Sequence, residues 1–315
     1  NPQFSLSRST ALGGRGGNGG KGGLVNVTSA GTITTAGNHA TGIVAQSIGG
    51  GGGIGGSVTG VQASVSDISG SIGFNLAGAG GSGNNSDNVT VSAGGSINTL
   101  GNNAAAVIGQ SVAGGGGAGG GKFQPGTPQG AQNRAPRGPG GQAGQVALTH
   151  RGGNIATYGN QSAGFVGQAI GGGGGHGGSV QNYTVTVQGG KGRAANANVG
   201  LGGSGGNAGM GGAVSANVNA NSSLATFGDL SAGMHLQSIG GGGGVGGNVF
   251  SFDASVSISP SDNPRANEGQ NLSANVSLGG SGGTGRGGYQ ININKYQEQL
   301  LIFMGRSASV AHTKL

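Results

Sequence analysis

Four segments of the chain repeat one template: TITTAGNHATGIVAQSIGGGGGIGG from Thr32, SINTLGNNAAAVIGQSVAGGGGAGG from Ser96, NIATYGNQSAGFVGQAIGGGGGHGG from Asn154 and SLATFGDLSAGMHLQSIGGGGGVGG from Ser223. Their internal registers are fixed. An aliphatic residue (Ile33, Ile97, Ile155, Leu224) stands four residues before a glycine (Gly37, Gly101, Gly159, Gly228). That glycine lies nine residues before a glutamine (Gln46, Gln110, Gln168, Gln237). Self-similarity of this kind marks repeat architectures, in which each unit buries its apolar side against the next.

The registers decide what the glycine is for. The chain holds 83 Gly in 315 residues, several times the usual ~7%. Ordering each costs roughly 0.5–1 kcal/mol more than ordering alanine, a total on the order of several tens of kcal/mol against a net domain stability of ~5–15 kcal/mol. Such a chain is either a mobile linker or an array whose backbones must approach closely. Linkers have no reason to keep registers, so the array is expected. In the runs Gly49–Gly53, Gly114–Gly117, Gly171–Gly175 and Gly240–Gly244, Ala113 replaces the first glycine, so that first position is read as tolerating a Cβ. The later positions are read as close-packed or at positive φ, with Gly51→Val and Gly173→Val more damaging than Gly60→Val.

Upstream of the repeats lies a second glycine pattern: Leu12 opens LGGRGGNGGKGG, Leu76 opens LAGAGGSGNNSDN, Leu201 opens LGGSGGNAGMGG and Leu278 opens LGGSGGTGRGG. A period of three fits the threefold turn of polyproline II, here in all-glycine form. Short alternating stretches such as Leu24–Thr28 and Val89–Val91 read as half-buried strands. The fold class expected is mainly β: a repeat β-solenoid, parallel β-helix-like, with polyglycine-II-like segments. Ile33, Ile97, Ile155 and Leu224 are expected to form an interior ladder. The four glutamines either stack through their amides or face solvent.

This organisation gives an N-terminal segment (1–10) and an array over 11–288, with units at about 12–60, 76–121, 138–180 and 199–249 and a partial unit from 278. Irregular insertions are expected at 61–75, 122–140, 181–198 and 250–277. The stretch 289–315 reads as a degenerate repeat or cap, since Leu301 again lies four residues before Gly305. Within it, Tyr289, Ile291 and Ile293 mark a strand suited to self-association.

The motif AQSIGGGGG, with GGNGGKGGLVNVTSAGTITTAGNHATGI upstream, resembles the glycine-rich passenger repeats of bacterial autotransporter (type V secreted) proteins, over roughly residues 11–288. The resemblance implies export through the outer membrane, a parallel β-helix-like passenger and a role in adhesion, aggregation or biofilm. The sequence shows no C-terminal translocator barrel, and its basic charge is unusual for such passengers. The triplet glycine pattern alone is more weakly similar to polyglycine-II bundle proteins, among them glycine-rich antifreeze proteins and phage tail-tip adhesins.

Chemistry finds few candidates. The seven carboxylates are scattered, the five histidines lack metal-ligand spacing, and there is no cysteine. His176 and His235 occupy places held by aliphatic residues in other repeats. Gly20-Lys21, Gly121-Lys122 and Gly190-Lys191 lack the Ser/Thr and helix of a phosphate loop. We therefore expect no enzyme, cofactor, catalytic residue or metal. The formal charge of +7 permits anionic partners such as cell-surface glycans or lipopolysaccharide, while aromatic residues are too few for a base-stacking nucleic-acid platform. No stretch is long enough to span a bilayer and no signal peptide opens the sequence. The expectation is a secreted or cell-surface structural or adhesive protein that pairs with itself, with two alternatives. One is ice binding through Thr34, Thr35, Thr99, Thr157 and Thr226. The other is a tip adhesin with specificity in loops 122–140 and 249–277.

Overall fold

The structure, a computed structural model, describes residues 4–59, 68–76, 78–125, 138–189, 193–258, 271–295 and 301–303. The strands fall into successive layers. The first holds β1 (Phe4–Leu12), β2 (Val25–Ser29), β3 (Ile33–Thr35), β4 (Ile43–Ile48) and β5 (Val58–Thr59). The second holds β6 (Ile68–Leu76), β7 (Val89–Gly94), β8 (Ile97–Thr99), β9 (Val107–Val112) and β10 (Lys122–Pro125). In the third, β11 (Val146–Thr157) runs through two strand positions and is followed by β12 (Phe165–Ile170) and β13 (Val180–Gly189). The fourth holds β14 (Arg193–Leu201), β15 (Val214–Val218), β16 (Ser222–Thr226), β17 (Met234–Ile239) and β18 (Val249–Ile258). A fifth begins with β19 (Asn271–Leu278), β20 (Ile291–Lys295) and β21 (Leu301–Phe303).

The fold is mainly β, and among the described residues every strand pairing is parallel, consistent with a β-helix-like class. Three ladders carry the repeat: β2-β7-β11-β15-β20, β3-β8-β11-β16-β21 and β4-β9-β12-β17. Their inward side chains form the core, with Val89, Val91, Leu148, Val214, Ile97, Ile155, Leu224 and Phe165 buried. Volume is shared across the core. A Cβ on Gly109 would stand 2.6 Å from Leu148 Cδ2, and one on Gly167 2.9 Å from Leu236 Cδ2, so these glycines leave space that leucines fill.

Two further four-stranded parallel sheets, β1-β6-β14-β19 and β5-β10-β13-β18, form where irregular insertions and an N-terminal segment were expected. Residues 68–75, 181–189 and 193–198 are strands, as are most of 250–277. The four-unit template does not reach these segments, although Ala197–Leu201 and Ala274–Leu278 share the pattern ANVxL and pair in register. Parallel pairing needs only backbone groups and an alternating extended chain, and YTVTV at Tyr183–Val187 has that alternation. Of the insertion at 122–140, residues 126–137 lie outside the described residues, as do 60–67, 259–270, 296–300 and 304–315 with much of the expected cap.

Glycine segments join the outer sheets to the core ladders, outgoing after β4, β9, β12 and β17 and returning before β2, β7, β11, β15 and β20. Backbone bonds there recur every third residue: Gly50, Gly53 and Gly56 donate to Gly20, Gly17 and Gly14, each at 2.7 Å. Gly78, Gly81 and Asn84 donate onward to Gly56, Gly53 and Gly50 at 2.8–3.0 Å. One chain of bonds, Gly17-Gly53-Gly81-Gly117-Gly138-Gly175-Gly206-Gly244-Gly283, crosses every layer with N···O distances of 2.7–3.4 Å.

The G-G-X triplet follows from this geometry. A Cβ on Gly81, Gly117, Gly175 or Gly244 would overlap a carbonyl oxygen of the layer below; one on Gly52, Gly116, Gly174 or Gly243 would overlap a carbonyl of the facing return segment. The third position points away from both. The damage expected at Gly51 and Gly173 is therefore misplaced by one residue: a Cβ there would meet nothing nearer than 3.6 Å. Gly49, Gly171 and Gly240, conversely, have no room for the Cβ that Ala113 carries at the equivalent place. Gly60 lies outside the described residues.

Candidate functional site: hydrogen-bonded ladders and an uncharged face

The residues singled out by the repeat come into register. Ile33, Ile97, Ile155 and Leu224 align, and Leu301 joins them from β21. Ile97, Ile155 and Leu224 are fully buried. Alternation along β4, β9, β12 and β17 turns the glutamines outward, where they bond in series. Gln46 Nε2 donates to Gln110 Oε1, Gln110 Nε2 to Gln168 Oε1 at 2.6 Å, and Gln168 Nε2 to Gln237 Oε1 at 2.8 Å. Of the two readings left open for glutamine, the structure holds the stacked one.

Asparagine ladders, which the sequence reading missed, hold the turns. Asn38 Oδ1 accepts from Asn102 N at 3.0 Å, Asn102 Oδ1 from Asn160 N at 2.8 Å, and Asn160 Oδ1 from Asp229 N at 2.8 Å. The signal was present as Asn or Asp at the residue after each repeat's fixed glycine. The next residue is left-handed in every repeat (His39, Asn103, Gln161, Leu230; φ 54–59°), a conformation that disfavours residues other than glycine. A threonine latch holds this turn. Thr35, Thr99, Thr157 and Thr226 donate through Oγ1 to the carbonyls of Ala40, Ala104, Ser162 and Ser231 at 2.6–3.1 Å.

Thr99, Thr157 and Thr226 are buried. Thr35 is half-buried, and of the five threonines named for the ice-binding alternative Thr34 alone is exposed. Tyr158 and Phe227, just beyond two of the latches, stack with ring centroids 5.0 Å apart and planes 11° from parallel.

Titratable groups are few and local. His150 is fully buried on β11, its Nδ1 3.2 Å from Ala93 O and its Nε2 3.0 Å from Gly153 O. Burial lowers its pKa below the ordinary 6.5, outweighing the carbonyl bonds that raise it. Its inward place was legible from Val146 and Leu148, two residues apart on the same strand face. Asp87 accepts from Lys21 Nζ at 3.0 Å, and this bond, with the Asn88 amide, holds its carboxyl below the ordinary range. The pair is exposed and contributes little to stability. His176 and His235 face outward beside aliphatic equivalents. Among the described residues no group of three or more His, Cys, Asp or Glu is placed to hold a metal, and no helix is long and apolar enough to cross a membrane.

Tyr289, Ile291 and Ile293 lie at one end of the core ladders. β20 pairs with β15 through Val214↔Ile291 and Ala216↔Ile293 and is the edge strand of its sheet. Tyr289 and Ile291 are exposed.

The opposite side of the outgoing segments carries no Asp, Glu, Lys or Arg. Parallel rows run across the layers: Val44-Ile108-Val166-His235, the glutamine ladder, Ile48-Val112-Ile170-Ile239, Gly51-Gly115-Gly173-Gly242, and Ile54-Ala118-His176-Val245. Ile48 is 61% and Ile54 75% exposed.

No family model matches the chain, and no curated protein or solved structure matches it at a significant level.

Proposed function

We propose that this chain is a non-enzymatic structural or adhesive protein of an extracellular or bacterial surface, and that it associates with itself. Its architecture is read as a β-solenoid whose layers extend outward through a polyglycine-II-like zone. The observation that carries the reading is the unbroken run of backbone hydrogen bonds from Gly17 to Gly283. It gives the glycine zone an interior made almost wholly of backbone, and the repeated polar side chains (Gln, Asn, Thr) of the protein are engaged in holding layers and turns together. The three-residue recurrence of those bonds matches the threefold turn of polyproline II. Membership among autotransporter-like passengers is part of the proposal and rests on the repeat motif. Arg15, exposed on the return segment of the first layer, is a group that would meet anionic glycans or lipopolysaccharide. The exposed edge strand at Tyr289, Ile291 and Ile293 is one route to self-pairing.

The test is antibody labelling of intact producing cells combined with a cell-aggregation assay. Labelling without permeabilisation, with aggregation lost on deletion, is the expected result. Labelling that requires permeabilisation would overturn the surface assignment.

A further inference from the structure

The glycine row Gly51-Gly115-Gly173-Gly242 has no explanation inside the protein. At the other two positions of each triplet a Cβ would overlap backbone; here it would lie 3.6–3.7 Å from the next carbonyl in the first three layers and meet nothing in the fourth. None of the four has a positive φ, so backbone strain does not require glycine either. Other outward positions vary freely: three residues on stand Ile54, Ala118, His176 and Val245. In all four layers the row is nonetheless bare, which leaves a groove floored by backbone and bordered by the outward-facing ridge Ile48-Val112-Ile170-Ile239, exposed at Ile48 and Ile239 and half-buried at Val112 and Ile170.

We infer that this groove receives the aliphatic ridge of a second copy of the same chain. The inference deepens the self-association proposed above and rests on that reading in this respect only. Three observations favour a second copy. Ridge and groove share one pitch, ~4.8 Å per layer, because they lie on the same stacked segments. They are also adjacent, ~9 Å apart along a polyproline-II-type stretch. A twofold axis parallel to the stack therefore seats each copy's ridge in the other's groove at once, an isologous contact. The residues are suited to a dry, interdigitated seam: rows 44 to 57 and their equivalents contain no Asp, Glu, Lys or Arg, although the chain carries a formal +7.

The size is adequate. From Val44 to Ser57 the face is roughly 40 Å wide and about 19 Å deep over four layers. In the seated register about 700 Å² per copy is covered, within the range of specific protein–protein interfaces and larger than the usual apolar patch of a monomer.

Sedimentation of the full chain tests this, comparing wild type with the double variant Gly115→Leu/Gly173→Leu. Wild type should form a concentration-dependent dimer. The variant should sediment as a monomer, and at dilutions where the wild type is also monomeric the two should share a thermal midpoint, since the new side chains enter open space. As a second measurement, single variants Ile170→Cys and Gly173→Cys, mixed and oxidised, should form the mixed disulfide in preference to either homodimer. Undiminished association of the double variant would overturn the groove, as would a wild type that stays monomeric throughout. A monomeric wild type that pellets with phosphatidylcholine vesicles would overturn it in favour of a lipid occupant. Cytoplasmic retention, by contrast, would defeat the surface assignment and leave these association results intact.

Discussion

Gln110 donates its side-chain amide to Gln168 at 2.6 Å while accepting another from Gln46, so one residue ties three layers. The ladder is only partly shielded from water. Gln110→Ala removes two bonds that water partly replaces, and each net bond is worth ~0.5–1.5 kcal/mol. A loss of about 1–2 kcal/mol in denaturant unfolding is expected. No change in the midpoint would mean that the ladder is decorative.

Gly175 and Gly173 are two residues apart and differ in kind. A Cβ on Gly175 would overlap Gly117 O, whereas one on Gly173 has open space. Gly175→Ala should lower the thermal midpoint by several degrees or prevent folding, at the ~1–3 kcal/mol or more of an overpacked interior. Gly173→Ala should leave it unchanged. Similar midpoints for the two variants would contradict the assignment of triplet positions.

His150 ties stability to pH. Its folded pKa lies below the 6.5 of the free side chain, so the unfolded chain binds a proton that the folded chain resists. The stability from a neutral buried ring is fully present above pH ~6.5 and is lost as pH falls from there toward the folded pKa. Chemical denaturation between pH 5 and pH 8 should show this slope in wild type and a flatter one in His150→Gln. Parallel profiles would assign the slope to another group.

Ser92 Oγ is buried without a hydrogen-bond partner. Ser92→Ala removes a desolvated hydroxyl whose burial costs on the order of 1–3 kcal/mol. It should raise the thermal midpoint, and a lower midpoint would show that the hydroxyl has a partner after all.

What was legible in the sequence followed the spacing of strong side chains. The aliphatic position at Ile97 and Ile155 and the glutamine register both come from residues that must repeat to be useful. The outer strands were missed because the four-unit template stops short of them; the trace that does exist, ANVxL at Ala197–Leu201 and again at Ala274–Leu278, lies in segments read as insertions. The triplet phase was misjudged at Gly51 because a run of five glycines carries no internal marker; Ile54, three residues on, held the phase. The threonine latch was mistaken for a surface feature because Thr157 looks the same in sequence whether its hydroxyl meets water or the carbonyl of Ser162.

The zigzag of backbone hydrogen bonds from Gly17 to Gly283 has a mechanical consequence. Tension along the stacking direction is borne by many short backbone bonds side by side, in the glycine zone and in the ladders together. The bonds between two adjacent layers act in parallel and must break together. Stretched by its ends, the protein should resist to a high force and then give way in discrete steps, each releasing the slack of one whole repeat.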